Sequence, residues 1–422
     1  MGEIREKFCL SLFFVSIVFI QLKSYGVVVE GEDILSLGAS ITGNQTLISK
    51  NGTFELGFFS PNGTNNWYIG IWYANIPEKT VVWVANRETP ARNRCGVLKL
   101  SEEGDLGLFD ATGASLWSVN VTKKPSQALI LDSGMRFGGQ KKLVSWKSSL
   151  DPAPGLFSYQ VDPSSGVKQL VLKWNNSVEY WASGPWDGNV FSQIPEMSNK
   201  ALYNISVEII NSGFHVTYTS IAIKNVLSRS LSRMQLYALL DDAKWTLLWS
   251  QPRDQCAVYG LCGAYGICNS NNLQFCSCVE GFTPKDTRAW YSRDSWSSGC
   301  VRQSPLNCVA ENGSSDGFLE PSVTFPDADS ASSYPVTTKE DCQKVLLLNC
   351  SCTAFTFNLS SGLCQIWYGH LLNMRTSLPP KSNSNVFIRV AASALPKTKK
   401  SSSKKTQLQL LLVLSPLHWV SF

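Results

Sequence analysis

FELGFFSPNGTNNWYIGIWYANIPEKTVVWVANRETP, residues 54–90, decides the fold class. Aromatic and β-branched side chains alternate with small or polar ones in short runs. Gly, Asn and Pro punctuate those runs about every ten residues. Alternation of this kind buries one face of a strand and wets the other, and no helical period competes with it. The pattern holds from Val27 to Trp117, through GVLKLSEEGDLGLFD (96–110) and SLWSVN (115–120). It predicts an all-β sandwich, barrel or prism. FSYQVDP, QLVLKW, VEYWASGPW, ALYNISVEII, FHVTYTS and AKWTLLWS continue it through 157–250. Near the C-terminus TTKEDCQKVLLLN (337–349) predicts one helix. Thr338 can cap it, Asp341 stands three residues on, and an apolar run follows. SCTAFTFNLS, GLCQIWYG and VFIRVA around it read as strands.

The N-terminus sets the compartment. MGEIREK precedes FCLSLFFVSIVFIQL (8–22), a charged start and about fifteen apolar residues, as in a secretory signal peptide. A membrane span needs roughly 20 apolar residues. Cleavage is expected near Ser24 to Gly26. Nine N-x-S/T sequons, at Asn44, Asn51, Asn62, Asn120, Asn175, Asn204, Asn312, Asn349 and Asn358, predict an exported glycoprotein. Loss of Cys9 leaves twelve cysteines, an even number on an oxidising route, so disulfides are expected. Three histidines and no zinc-ribbon CxxC pairs argue against zinc, and no metal or cofactor is expected. The net charge is +5, and the tail KTKKSSSKK (397–405) alone holds five lysines. The near-neutral body gives no reason to invoke nucleic acid.

CAVYGLCGAYGICNSNNLQFCSC (256–278) and Cys300 form a spacing of C-x5-C-x5-C-x7-C-x-C-x21-C. A module of about 45 residues cannot bury enough apolar surface to offset chain entropy. Each crosslink contributes about 2–4 kcal/mol, so disulfides decide whether it folds. Spacing alone does not choose among the pairings that six cysteines allow. Gly260, Gly263 and Gly266 between the cysteines suit turns rather than phosphates. Catalytic signatures are missing: no H-R-D follows from His215, His370 or His418, and Asp316-Gly-Phe is the wrong order for a magnesium motif. Neither G-x-S-x-G nor H-E-x-x-H occurs. The expectation is a non-enzyme.

The order of segments carries a resemblance. ELGFFSPNGT, WYIGIWY, VVWVANRETP and LWSVN resemble a bulb-type (mannose-binding) lectin domain. VSWKSSLDPAPGLFSY, YWASGPWDG and FSQIPEM resemble the S-locus glycoprotein region that follows it. QCAVYGLCGAYGIC, CSCVEGF and WSSGCVRQSPLNC are similar to an EGF-like module, and DCQKVLLLNCSCTAF, LCQIW and VFIRVAASAL to a PAN/apple domain. This is the ectodomain layout of plant S-locus glycoproteins and G-type lectin S-receptor-like serine/threonine kinases. The resemblance implies a mostly β, multidomain chain: signal peptide 1–26, lectin β-prism 27–150 (shortened near 134–135), S-locus β region 151–250, EGF-like module 251–300, α+β PAN/apple domain with one helix 301–391, and basic linker with short apolar tail 392–422. It also implies the pairs Cys256–Cys268, Cys262–Cys276 and Cys278–Cys300, leaves Cys342–Cys364 in place, and leaves Cys308–Cys350 by elimination.

Three departures stand against the family pattern. The lectin sugar motif Q-x-D-x-N-x-V-x-Y aligns with Ser101, Glu103, Asp105, Gly107 and Phe109. The family's amides donate to sugar hydroxyls, whereas a carboxylate only accepts, so mannose binding is not expected from Ser101, Glu103, Asp105 and Phe109. LILDSG (129–134) runs directly into MRFGGQKKLVSWKSS, without a W-Q-S-F-x-x-P-T-D-T stretch, which removes strands from the closing sheet of the lectin. Leu346 stands where the PAN helix usually has a cysteine, so Cys352 loses its usual partner. Cys95 has no family counterpart, and both are expected as free or mispaired thiols. The tail LQLLLVLSPLHWVSF (408–422) is too short and interrupted to span a bilayer.

The functional expectation is a secreted, non-catalytic recognition glycoprotein, acting in pollen recognition or defence sensing. It would bind an extracellular peptide, protein or glycan, or a full-length receptor kinase of its family as a hetero- or homodimer. A truncated receptor-kinase product is the first alternative. A wall-associated structural glycoprotein is the second.

Overall fold

The computed structural model describes residues 33–395 except 62–63, 78, 120–124, 126, 132–135, 139–141, 163–168, 199–202, 211–212, 221–224, 228–231, 240–243, 293–294, 308–315, 325, 348 and 377–384. The expected signal peptide and the apolar tail therefore lie outside the described residues.

The chain is mostly β. Its N-terminal part is a prism of three antiparallel sheets. One is ordered Ser40–Thr42, Val97–Leu100, Leu106–Phe109, Ser115–Val119; the second Thr46–Ile48, Phe54–Phe59, Tyr68–Tyr73, Val81–Val84. Leu35, Ile41, Leu47, Phe58, Ile69, Leu98, Leu100, Leu108 and Ile130, drawn from all three sheets, meet in one core. Among the described residues the third sheet has two strands, Ile34–Ser36 and Gln127–Leu129. Leu129 and Leu131 are exposed.

Past the third sheet, Lys142–Ser148, Asp151–Val161, Leu170–Trp174 and Val178–Ala182 form a four-stranded sheet in sequence order. Residue 150 lies in the turn of its first hairpin, so the strand before it joins the second region. Two three-stranded sheets follow, Arg136–Gly138 with Gly213–Ser220 and Tyr203–Ile210, and Asn225–Leu227 with Met234–Leu239 and Trp245–Gln251. Tyr159, Leu170, Leu172, Phe191, Ile194, Met197, Met234 and Leu236 form one core between the four-stranded sheet and strand Met234–Leu239.

The C-terminal third is a five-stranded sheet ordered Gly317–Leu319, Val386–Val390, Cys352–Asn358, Leu363–Leu372, Asp327–Pro335, with helix Lys339–Leu347 against it. The helix begins as its sequence predicts. The Asp341 amide donates to Thr338 Oγ1 at 3.1 Å, and Thr338 Oγ1 donates to the Asp341 carboxylate at 2.6 Å. Those bonds, with Lys344, hold the Asp341 carboxyl below its ordinary range. Thr338→Ala should cost about 1 kcal/mol of the unit's stability, the usual loss of an N-cap, measured by denaturant unfolding. A depressed carboxylate stabilises above its unfolded pKa near 3.9 and loses that contribution as pH falls through the folded value. The protection factors of the Asp341 and Cys342 amides should therefore fall in acid in the native chain, and at neutral pH in Thr338→Ala.

The cysteine-rich module is not self-contained. Its Cys256, Cys262, Cys268, Cys276, Val279 and Phe282 share one core with Trp367, Leu371, Met374, Val386, Ile388 and Val390. Strand Gly266–Cys268 pairs in parallel with Met374–Arg375, and Tyr265 Oη donates to the Gly369 carbonyl at 2.9 Å. A short helix, Thr287–Ser292, which the sequence pattern did not suggest, buries Trp290 in the module.

Candidate functional site

Two places concentrate the residues singled out in the sequence: the lectin hairpin and the sulfur framework. Ser101, Glu103 and Asp105 form the turn between Val97–Leu100 and Leu106–Phe109. The Ser101 amide donates to the Asp105 carbonyl at 2.9 Å, and the Asp105 amide donates to Ser101 Oγ at 3.1 Å. The Ser101 hydroxyl therefore closes its own turn, while the Glu103 and Asp105 side chains stand exposed. Phe109, at the far end of the strand, lies across Gly107: a Cβ there would sit 2.9 Å from its ring. The hairpin presents carboxylates that accept and a ring that cannot hydrogen-bond. Sugar hydroxyls meet no side-chain amide donor among these four residues.

Four disulfides join Cys256 to Cys268, Cys262 to Cys276, Cys278 to Cys300 and Cys342 to Cys364, with Cα separations from 5.4 to 5.8 Å. Cys350 is disulfide-bonded, and Cys308 lies outside the described residues. Cys95 is also disulfide-bonded, which leaves the mispaired half of the expectation for it and removes the free thiol. Cys352 is a free thiol, 1% exposed in one cluster with Leu346 and the Cys342–Cys364 bridge. Burial raises its pKa, so it stays protonated and unreactive.

Asn44, Asn51, Asn175 and Asn349 are exposed, and Asn358 is half-buried. The Asn349 and Asn358 side-chain carbonyls accept the Ser351 and Ser360 amides, each at 2.9 Å, so both sequons sit in tight turns. Asn204 is in strand Tyr203–Ile210, its side chain not described; Asn62, Asn120 and Asn312 lie outside the described residues. Among the described residues no group of His, Cys, Asp or Glu could hold a metal ion.

What sequence reading missed is how the parts lock. Arg87, in the lectin part, donates from Nε to the Pro152 carbonyl and from Nη2 to the Ser145 carbonyl, both at 2.6 Å. Trp146 packs on Phe59, Tyr68, Trp72, Val81 and Val84. Trp245 packs on Tyr73 with the ring planes tilted by 58° and donates to Thr80 Oγ1 at 2.9 Å. Burial there lifts the Tyr73 phenol to about 12. One face of the second lectin sheet is thus covered by the following region.

A lectin prism joined to further β-sheet and a disulfide-stapled C-terminal unit defines a class: extracellular-type, multidomain lectin glycoproteins. Family models match as D-mannose binding lectin over 80–157, S-locus glycoprotein domain over 181–286 and PAN-like domain over 308–374. The chain belongs to the S-locus glycoprotein family. It is 32% identical to the S-locus-specific glycoprotein S6 of Brassica oleracea, across 92% of this chain and 96% of that one. A second S-locus-specific glycoprotein, from Brassica oleracea var. alboglabra, is 32% identical across 84% and 91%. A G-type lectin S-receptor-like serine/threonine-protein kinase of Arabidopsis thaliana is 32% identical across 86% of this chain but 49% of the kinase. The chain spans about half the length of such kinase relatives. Among the described residues no helix is long and apolar enough to cross a membrane.

Proposed function

We propose that this chain is a secreted, non-catalytic recognition glycoprotein that works by binding outside the plant cell. The observation that carries the reading is its near end-to-end match to S-locus-specific glycoproteins, 92% of one chain and 96% of the other. Disulfide-joined cysteines support it, because such bonds form and persist in oxidising compartments and are rare in the cytosol. Exposed sequons at Asn44, Asn51, Asn175 and Asn349 are the expected carriers of glycan. Binding partners are an extracellular peptide, protein or glycan, or a receptor kinase of the same family, in pollen recognition or defence sensing. The lectin hairpin is not the proposed contact.

Expression in plant cells with the native N-terminus tests the reading. The product should enter the medium, shift in mass on peptide-N-glycosidase treatment, and yield the crosslinked peptides Cys256–Cys268, Cys262–Cys276 and Cys278–Cys300 without reduction. A cytosolic, unglycosylated product with alkylatable thiols would overturn it. The coverage of about half of each kinase favours a second reading, the ectodomain of a receptor kinase. Transcripts that continue past codon 422 into a membrane helix and a kinase frame would select it.

A further inference from the structure

A cleft of about 390 Å³ opens in the second region, lined by Trp181, Ser192, Gln193, Pro195, Gln251 and Arg253, with Pro252 on the same wall. That lies within the range of about 300–1,000 Å³ in which small ligands are held. One wall falls in YWASGPWDG and FSQIPEM, stretches that carry the S-locus resemblance, and the other lies some sixty residues on, so no single motif spans the cleft.

Both walls are held in place by the fold. On one side, Phe191 and Ile194 are fully buried anchors. Between them, the Ser192 amide donates to the Pro185 carbonyl at 3.1 Å and the Gln193 amide to the Ser183 carbonyl at 2.9 Å. Gly184, at φ +66°, leaves the room the Ser192 hydroxyl fills; a Cβ there would lie 2.0 Å from it. On the other side, Arg233 donates to the carbonyls of Pro252 at 2.9 Å and Arg253 at 2.7 Å, and to the Ser250 hydroxyl. Glu196 then clamps wall to wall. Its carboxylate pairs with Arg253 at 2.7 Å and accepts weakly from the Gln251 amide at 3.5 Å.

The chemistry on offer is narrow. Trp181, half-buried against the core of this region, and Pro195 supply apolar surface, while Pro252 is buried. Exposed Ser192 and Gln193 supply a hydroxyl and a carboxamide, which both donate and accept; Gln251 is buried, its carboxamide turned to Glu196. The one cation, Arg253, is matched by Glu196, so no net charge faces a ligand. A molecule that suits this set has an apolar C–H face for the indole and hydroxyls around its edge, and carries no charge. We infer that the cleft is a binding site for a neutral pyranose oligosaccharide, separate from the lectin hairpin. The inference rests on the recognition reading and names its ligand class. Its test uses purified chain, so failure here is distinguishable from failure of the secretion experiment.

Saturation-transfer NMR and calorimetry with manno-, xylo-, cello- and chito-oligosaccharides are the measurements. At least one series should bind saturably. Trp181→Ala should weaken it by about tenfold or more, the scale of removing an aromatic anchor. Trp181→Phe, which keeps a ring and spares the core, should keep part of the affinity, with the near-UV circular dichroism of both variants as the check on folding. Asp105→Asn, in the lectin hairpin, should leave binding unchanged. The inference is overturned if no neutral oligosaccharide binds, if binding survives Trp181→Ala, if it falls with Asp105→Asn instead, or if Trp181 responds only to peptides.

Discussion

Arg389→Ala should lower the stability of the C-terminal unit by about 3–5 kcal/mol, the cost of stripping one partner from a buried ion pair. Both side chains of the Arg389–Asp316 pair have 0% exposure, and Nη2 lies 2.8 Å from Oδ2. Arg389 Nε donates to the same oxygen at 3.0 Å, while Nη1 reaches the Leu346 and Asn349 carbonyls at 3.3 and 3.1 Å. Those are carbonyls at the end of helix Lys339–Leu347, which lack partners within the helix. Asp316 Oδ1 accepts the Asn307 amide at 2.9 Å. One guanidinium therefore holds a strand, a helix end and an incoming segment together. Asp316→Ala should be as damaging, because it leaves the cation buried alone. A double replacement by apolar residues, Arg389→Met with Asp316→Leu, removes both charges and should recover much of the loss. Calorimetry of the purified chain would resolve the C-terminal transition from that of the lectin part. Equal destabilisation by the double and single variants would show that the helix-end bonds, not the uncompensated charge, carry the effect.

Gly263→Ala should prevent the cysteine-rich module from closing. Gly263 has φ +63°, and a Cβ on it would stand 2.5 Å from the Gly299 nitrogen and 2.6 Å from the Ser297 carbonyl oxygen. Gly299 is its counterpart, at φ +69° with a Cβ position 2.4 Å from the Ala264 nitrogen. Two glycines thus face each other where the chain segments touch, and neither neighbour is a flexible side chain that could move aside. Strain at a left-handed non-glycine residue is about 1–3 kcal/mol; the backbone overlap adds to it. The Cys300 amide, next to Gly299, donates to the Ala264 carbonyl at 2.7 Å, so separation here pulls Cys300 from Cys278. A non-reduced peptide map should lose the Cys278–Cys300 peptide, and secreted yield should fall severely. Gly113→Ala is the control. Its φ is +84° but nothing lies within 4 Å of the added Cβ, so strain alone acts there. If both variants map alike, steric contact between the glycines is not what matters.

The two predictions differ in how far the sequence foretells them. The glycines between cysteines already read as turns, but Gly299 as the surface opposite Gly263 did not. Asp316 was noticed only as the first residue of a motif in the wrong order. Its partner is 73 residues away, and no local pattern marks a pair at that distance. Cys352 shows the same divide. Its loss of a partner was legible from Leu346 at the cysteine position, whereas its burial beside an intact bridge was not. Cys95 is disulfide-bonded, one of the two states expected of it. The cleft beside Trp181 was not legible as a site: one wall falls in stretches that carry the family resemblance, but the other lies some sixty residues on.

The sequence by itself determined what neighbouring residues determine: the two-residue period of the strands, the Thr338–Asp341 cap and the crowding of six cysteines. Tertiary structure alone decided that the cysteine module shares its core with the domain after it, that Arg87 and Trp245 lock the lectin to the region beyond, and that Arg389 is buried with Asp316. Periodicity, caps and turns express short-range sterics and hydrogen bonds, which are written in adjacent residues. Desolvation of a charge and the sharing of apolar surface depend on which distant strands come to pack together, and only the folded chain specifies that.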